Sequence, residues 1–469
     1  MNTAKLISVI TVSFILTGCM TVSSNAAPKP ETEKETKSPI VNRSEIEDIF
    51  KNYDQENAPG CATAVYQNGE TTFSKGYGIA NLDYNIPISD STSFYMASIS
   101  KQMTAAAAGL LVIRGELDVE ATVSTYIDEW PEWASEVKVK HLFNHTSGLP
   151  DIYGLMSIYG ISTSNVMDLD DYMEVVKMGE ELMFKPGSEY AYSNSGYTTL
   201  AHLVENITQD KFSQFVDEEL LTPLGMNSTH FHDDRHRVIP NRAMSYQKNG
   251  DNFRQTYLGN FQGVGPGGLY STLKDWQRWE SFWNGTLQWN GGITAEEAIE
   301  LKQMMVTPSM AGGKKLTYGM GVHMDTVKGA LMNGHGGSFM GFNTDYRRYP
   351  EYGVSMVTLC NRADANPQEL NQQLADLFLK EYFEAYLSPF EGTYRSEELL
   401  TEFTLTIEGS NLKLNRRLSP NGYVTENGDG EWSAGSLDME FKRNGTGEVI
   451  GLYISASRVR DIEFHRISE

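Results

Sequence analysis

Cysteine is scarce: the 469 residues contain three, Cys19, Cys61 and Cys360. So few thiols exclude a fold held together by a disulfide framework, and no Cys/His group shows metal-ligand spacing. The nine histidines are mostly scattered. His230, His232 and His236 lie beside Asp233 and Asp234, and we read that stretch as a polar surface loop. Lys/Arg-rich runs are also missing, and 38 basic residues face 61 acidic ones, for a formal charge of −23. Nucleic acid and anionic membrane surfaces are therefore poor electrostatic partners. The apolar stretch from Leu6 to Leu16 is too short for a spanning helix.

That stretch fits an export signal, preceded by Lys5 and ended by Leu16-Thr-Gly-Cys19. The ending resembles a bacterial lipobox, which implies cleavage before Cys19 and acylation of that residue. Residues 19–42 are polar, proline-bearing and aperiodic, and they read as a disordered tether behind a signal at 1–18. About 40% of the chain is hydrophobic, enough for one large domain and a small one.

The element order is informative. A capped helix from Ser44 to Tyr53 precedes a hairpin, Cys61–Tyr66 and Glu70–Lys75, turned by Gln67-Asn-Gly69. Helical patterns follow at Gly196–Ile207, Lys211–Leu221, Leu273–Trp283 and Ala295–Met305. A strand meander then covers Leu331–Phe339, Phe342–Tyr349 and Tyr352–Leu359, and a helix runs from Pro367 to about Phe383. Two strands, a helical middle, three strands and a closing helix predict one sheet closed by both ends of the domain, with a separate helical lobe. Beyond Ser388-Pro389, short alternating segments separated by Asn-Gly turns predict an all-β barrel or sandwich.

Three short motifs could carry chemistry. Ser98 and Lys101 form Ser-x-x-Lys ahead of an apolar, small-residue run from Met103 to Val112. Three residues apart on a helix, a lysine amine can reach the serine hydroxyl, and a desolvated lysine can act as its base. Four other matches exist: Ser135/Lys138, Ser245/Lys248, Ser271/Lys274 and Ser410/Lys413. They lie in charged or turn-rich surroundings, whereas Ser98 opens what reads as a buried central helix. Tyr192 and Asn194 form Tyr-x-Asn, in which a tyrosine could shuttle protons and an amide could meet a substrate. Tyr66-Gln-Asn68 matches as well, so this pattern alone decides nothing. Gly334-His-Gly-Gly-Ser338 places glycines in a strand, a sign that a ligand or another backbone approaches closely.

In the order Ser-x-x-Lys, Tyr-x-Asn, His-Gly-Gly, the three resemble the serine β-lactamase and penicillin-binding-protein superfamily, in its class C-like branch of esterases and D-aminopeptidases. Residues 141–151, 264–272 and 223–226 look like the same family. The resemblance covers residues 43–385, and residues 386–469 resemble a small barrel appended to some members. It implies an α+β fold, a five-stranded antiparallel sheet with flanking helices plus an all-helical lobe, followed by the barrel. It implies Ser98 as acylated nucleophile, Lys101 as its activator and Tyr192 as proton relay. Asn194 would contact the acyl group, and the Ser98 and Ser338 N–H groups, beside Gly336 and Gly337, would form the oxyanion hole. His335 stands where β-lactamases carry a lysine that holds the substrate carboxylate, which disfavours efficient β-lactam hydrolysis. Cys61 and Cys360 would lie on adjacent antiparallel strands, with bonding possible.

The chain is thus expected to be a membrane-tethered serine hydrolase without cofactor, acting on esters or D-amino-acid-containing peptides and amides. A β-lactamase or D,D-carboxypeptidase is the alternative enzyme, and a penicillin-recognising binding protein the alternative of another class. An acidic domain gains no electrostatic affinity for an anionic membrane, so lipid must supply it. High salt should leave the full-length protein in the membrane fraction, and Cys19→Ala should abolish lipid labelling. Release by salt alone would refute the anchor.

Overall fold

The computed structural model describes residues 41–256, 260–289, 291–417, 422–428 and 430–467. The expected signal, Cys19 and the tether up to residue 40 lie outside the described residues. Asn42 already belongs to the fold. Its side chain accepts from Ser44 N and Glu45 returns a bond to the Asn42 N–H, a capping box that starts the helix Arg43–Phe50. That helix tightens into a 3₁₀ turn at Lys51–Tyr53. Among the described residues, no helix is long and apolar enough to cross a membrane.

The main sheet is antiparallel, in the spatial order His323–Val327, Ala330–Phe339, Phe342–Tyr349, Val354–Cys360, Cys61–Gln67, Glu70–Tyr77. The N-terminal hairpin pairs with the last meander strand, so the two ends of the domain close the sheet as the element order predicts. The sheet has one strand more than the five expected. His323–Val327 is a half-exposed edge strand with Met324 as its one buried residue, so no alternating pattern marks it. At the hairpin turn Asn68 and Gly69 both take positive φ, 51° and 84°, as a type I′ turn requires.

Both faces of the sheet are covered, and side-chain alternation assigns them. Cys61, Val65, Met356 and Cys360 pack under the terminal helices with Ile46, Phe50, Leu374 and Phe378. Ala62, Ala64, Tyr66, Val357 and Leu359 face the helical lobe. At the centre of the lobe the helix Ser100–Ile113 is buried from Ser100 through Leu111. Its small residues allow close packing: a Cβ on Gly109 would stand 2.8 Å from Leu301 Cδ1 of the helix Ala295–Met305. The expected helix Lys211–Leu221 is Phe212–Val216 followed by a π-helical turn, Asp217–Leu221.

One expectation is corrected. His230 and His232 are not on a polar surface loop; they are 5% and 3% exposed and pack against Tyr270. Desolvation pushes both well below the usual imidazole range, to about 3 and about 4, so they behave as apolar core side chains at neutral pH.

The C-terminal strands, Gly392–Ser396 to Val459–Ile467, close into an eight-stranded barrel. Its interior is filled by Tyr394, Leu405, Leu414, Trp432, Leu452 and Phe464, with Leu387 and Phe390 of the connecting segment packed in the same cluster. Polar contacts dock the barrel on the larger unit: Lys328 Nζ to Asn411 Oδ1 (3.0 Å) and Ser410 Oγ to Asp376 O (2.8 Å).

Cys61 and Cys360 sit directly opposite each other on adjacent antiparallel strands and are joined by a disulfide. The bond ties residues 299 positions apart, so it removes much of the unfolded chain's freedom. Replacing both cysteines with alanine should lower the unfolding free energy by about 2–5 kcal/mol. Urea denaturation with and without reductant measures this, and an unchanged midpoint would show that the bond contributes nothing.

Candidate active site

The Ser98 turn is built by strain held from two sides. Ala97, immediately before Ser98, takes φ 48°, a left-handed conformation rare for a residue with a Cβ. Met96 N donates to Leu269 O (2.8 Å), and Thr344 Oγ1 donates to Met96 O (3.0 Å) from the sheet. Ser100 Oγ closes the turn by donating to Ala97 O at 2.5 Å. Ser98 thus stands on a 3₁₀ turn, Ala97–Ile99, at the entry to the helix that carries Lys101.

Lys101 is fully buried, and its Nζ lies 3.2 Å from Ser98 Oγ, 2.8 Å from Asn194 Oδ1 and 2.9 Å from Pro266 O. It also sits over the Tyr192 ring, 4.8 Å from its centroid. Burial pushes the lysine down to about 7, opposed in part by the Asp151 carboxylate. Near neutrality a large fraction is therefore the free amine. As the ammonium Lys101 donates to all three oxygens; as the free amine its two N–H bonds go to the two carbonyl oxygens and its lone pair is left for Ser98.

Tyr192 stands beside the pair, its ring under Lys101 Nζ, and desolvation pushes the phenol well above its usual range, opposed in part by the neighbouring Ser98. It stays protonated at physiological pH and can give a proton, which suits a relay and not a standing tyrosinate base. Asn194 opens the helix Asn194–Thr208. Its Oδ1 faces Lys101, while its backbone N and Nδ2 both donate to Asp151 Oδ2, at 2.7 and 2.8 Å.

Gly334 to Ser338 lie in the strand Ala330–Phe339. A Cβ on Gly337 would stand 2.7 Å from Met96 O and 2.9 Å from Ala97 Cβ, so glycine is what lets this strand run against the serine turn. His335 is 5% exposed. Its Nε2 accepts from the Tyr318 hydroxyl (3.0 Å), with Nδ1 against Gly336 O (2.5 Å). Burial and the neighbouring Lys101 and His323 hold it well below the usual imidazole range, so it is neutral. The structure thus brings together Ser98, Lys101, Tyr192, Asn194 and the strand from His335 to Ser338.

The four other Ser-x-x-Lys matches are elsewhere, each with its lysine against a carboxylate. Lys138 meets Glu120, Lys248 meets Asp364, Lys274 meets Asp90 and Lys413 meets Glu408. These lysines are partly exposed and ion-paired, whereas Lys101 is fully buried and held by Ser98, Asn194 and Pro266.

Sequence reasoning left several neighbours without a role. His145 takes φ 59°, accepts from Ser193 N through Nδ1 (3.2 Å) and lies tilted against the Tyr192 ring, 4.2 Å between centroids. Tyr318, Pro266 and Asp151 complete the surroundings. The signal for His145 and Asp151 was their place in the segment 141–151, which resembles the family but carries no motif chemistry by spacing alone. One trio among the described residues, Asp170, His202 and Glu205, brings potential metal-ligand atoms within 4.8 Å of one another. Asp170 is mostly exposed and Glu205 already accepts from Phe212 N, so the trio reads as a polar patch.

The chain belongs to the beta-lactamase family, whose profile matches residues 46–379. It is similar to D-aminopeptidases: 24% identical over 307 residues to that of Gluconobacter oxydans, and 25% over 316 residues to that of Brucella canis. These alignments take in 66% and 67% of this chain but only 56% and 58% of those relatives, so it spans little more than half their length. In fold it matches an octameric penicillin-binding protein homologue from Pyrococcus abyssi, with TM-score 0.62 and 20% identity over 90% of this chain and 99% of that one. It also matches a D-amino acid amidase from Ochrobactrum anthropi, with TM-score 0.58 and 19% identity over 73% of this chain and 99% of that one.

The lysine sets a pH dependence with a definite sign. An acylation of Ser98 activated by the free amine of Lys101 should rise with pH, about tenfold per unit on the acid side, and level off above about pH 7. The rate of fluorophosphonate attachment as a function of pH measures this. A flat profile between about pH 6 and 9 would show that no group titrating near 7 activates Ser98.

Proposed function

We propose that the chain is a serine hydrolase working through an acyl-enzyme at Ser98, on esters or on amides and peptides of D-amino acids. The observation that carries this reading is the Lys101 amine, buried, 3.2 Å from Ser98 Oγ, with its N–H bonds occupied by Asn194 Oδ1 and Pro266 O. Lys101 takes the Ser98 proton as Oγ bonds to the substrate carbonyl carbon. The oxyanion forms in the narrow gap between the serine turn and the Gly337–Ser338 backbone, where the Ser98 and Ser338 N–H groups would meet it. As the carbonyl re-forms, the leaving nitrogen or oxygen takes the Tyr192 proton, and Tyr192 is reprotonated from Lys101. Water then attacks the acyl-enzyme, passing its proton to the same pair, which returns it to Ser98 Oγ as the bond to the acyl carbon breaks.

The D-amino-acid preference rests on the D-aminopeptidase relatives and the D-amino acid amidase neighbour. The geometry of His335 supports it against the β-lactamase alternative. Its ring is neutral and engaged with Tyr318, so it offers no fixed cation to a β-lactam carboxylate. A penicillin-recognising binding protein would not need the Ser98, Lys101 and Tyr192 arrangement. We further propose an exported lipoprotein anchored through Cys19. The Cys61–Cys360 bond supports an oxidising compartment.

Intact-mass analysis with a fluorophosphonate, a penicillin, a small ester and paired D- and L-alanine amides tests the proposal. The fluorophosphonate should add once, at Ser98. D-alanine amide should turn over faster than its L counterpart, and penicillin should acylate slowly or not at all. Ser98→Ala should fold normally and keep less than about a hundredth of the rate, since covalent catalysis supplies several orders of magnitude. A larger residual rate would displace Ser98 as nucleophile.

A further inference from the structure

Asp151 lies just behind the three motifs and has no role in the steps above. Its Oδ1 accepts from Tyr153 N (3.0 Å) and Gly154 N (3.3 Å), capping the helix Ile152–Tyr159. Its Oδ2 accepts from the backbone N and the Nδ2 of Asn194. One carboxylate therefore secures the first turns of two helices, and the second of them, Asn194–Thr208, has no side-chain cap from its own Ser193.

We infer that Asp151 is a positioning residue: by holding Asn194 through both N–H donors it fixes the amide with its oxygen toward Lys101, and so aims the lysine lone pair at Ser98. The amide has two orientations, and its neighbours admit one. Turned over, Asn194 would set oxygen against the Asp151 carboxylate and NH₂ against the lysine nitrogen. An NH₂ there would donate to the amine lone pair and occupy the electrons that must take the Ser98 proton. The inference rests on Lys101 being the base, but not on the substrate.

The charge of Asp151 acts in the same place. The titratable groups facing Lys101 are Asp151, Tyr192, Tyr197, His145, His323 and His335. Both tyrosines are pushed up and all three imidazoles down by burial, so these five are neutral around pH 7. Asp151 is the carboxylate among them.

Asp151→Asn keeps an oxygen for Tyr153 and Gly154, since asparagine caps helices well, but turns an NH₂ toward Asn194. Asn194 then turns over. Loss of the negative charge and arrival of a donor both penalise the ammonium form, so the Lys101 midpoint moves to lower pH. Asp151→Ser also keeps a capping oxygen and removes the charge, as a second variant should the first not fold.

The test uses the full chain as wild type, Asp151→Asn, Asp151→Ser, Asn194→Ala and the Asp151→Asn/Asn194→Ala pair. It reads the fluorophosphonate rate across about pH 5 to 10, and the Lys101 Cε resonance by carbon NMR over the same range. Expected for Asp151→Asn are a plateau rate at least about tenfold lower and a Lys101 midpoint lower by about one unit. In the Asn194→Ala background the same change should cost less than about twofold, because the asparagine is the link. A folded Asp151→Asn or Asp151→Ser with wild-type plateau and midpoint would overturn the inference. So would an undiminished loss in the Asn194→Ala background. Labelling at Ser98 with no turnover of D-amino-acid amides would sink the substrate proposal and leave this one standing. The NMR midpoints judge the inference even if the fluorophosphonate does not react.

Discussion

A lysine nitrogen deprived of water is the constraint on which the rest of this site depends. In solvent its amine would hold a proton well past neutrality and could not take one from a serine. Burial pushes it to about 7, and burial of a lysine demands that every remaining N–H find an acceptor. Asn194 Oδ1 and Pro266 O meet that demand from two separate segments. The helix that carries Lys101 must be enclosed all round, and its run of alanines and Gly109 permits neighbouring helices to close on it. The small-residue composition of that helix and the chemistry of its first turn thus have one cause.

The second constraint is the closeness of two backbones. The serine turn and the Gly334–Ser338 strand must approach within reach of one reacting oxygen, and a side chain at Gly337 would collide with Met96 and Ala97. Thr344 makes the approach rigid by bonding Met96 O from the neighbouring strand. That strand pairs with Val354–Cys360, which pairs with Cys61–Gln67 and carries the disulfide to it. The unusual φ of Ala97 is held in place by tertiary contacts on both sides, as a strained residue has to be.

Much of this was legible in the sequence, and the unread parts share a reason. The hairpin at Asn68-Gly69, the late meander, the barrel and Ser98-Lys101 all declare themselves through local pattern: turn chemistry, alternation, or spacing along one helix. His323–Val327 did not, because an edge strand buries too little to show a period. His230 and His232 were misread because their neighbours in sequence, Asp233 and Asp234, are polar, while their neighbours in space include Tyr270. Asp151 is 43 residues from Asn194, and no local rule connects a carboxylate to an amide at that distance. Three of the decoy Ser-x-x-Lys pairs fail for a spatial reason too, since Lys138, Lys248 and Lys274 meet acids distant in the chain, Glu120, Asp364 and Asp90.

The arrangement of charge also bears on what the site can receive. His145, His323 and His335 crowd the lysine, and all three are held neutral by burial and by Lys101 itself. Protonating any of them would place a cation beside Lys101 and depress its basicity further, so the neutral imidazoles leave the amine the stronger base. The same neutrality removes the fixed positive charge that a substrate carboxylate would seek, in a chain that already carries −23. The imidazoles thus add no fixed positive charge around Lys101, and the charged group that faces it is the Asp151 carboxylate.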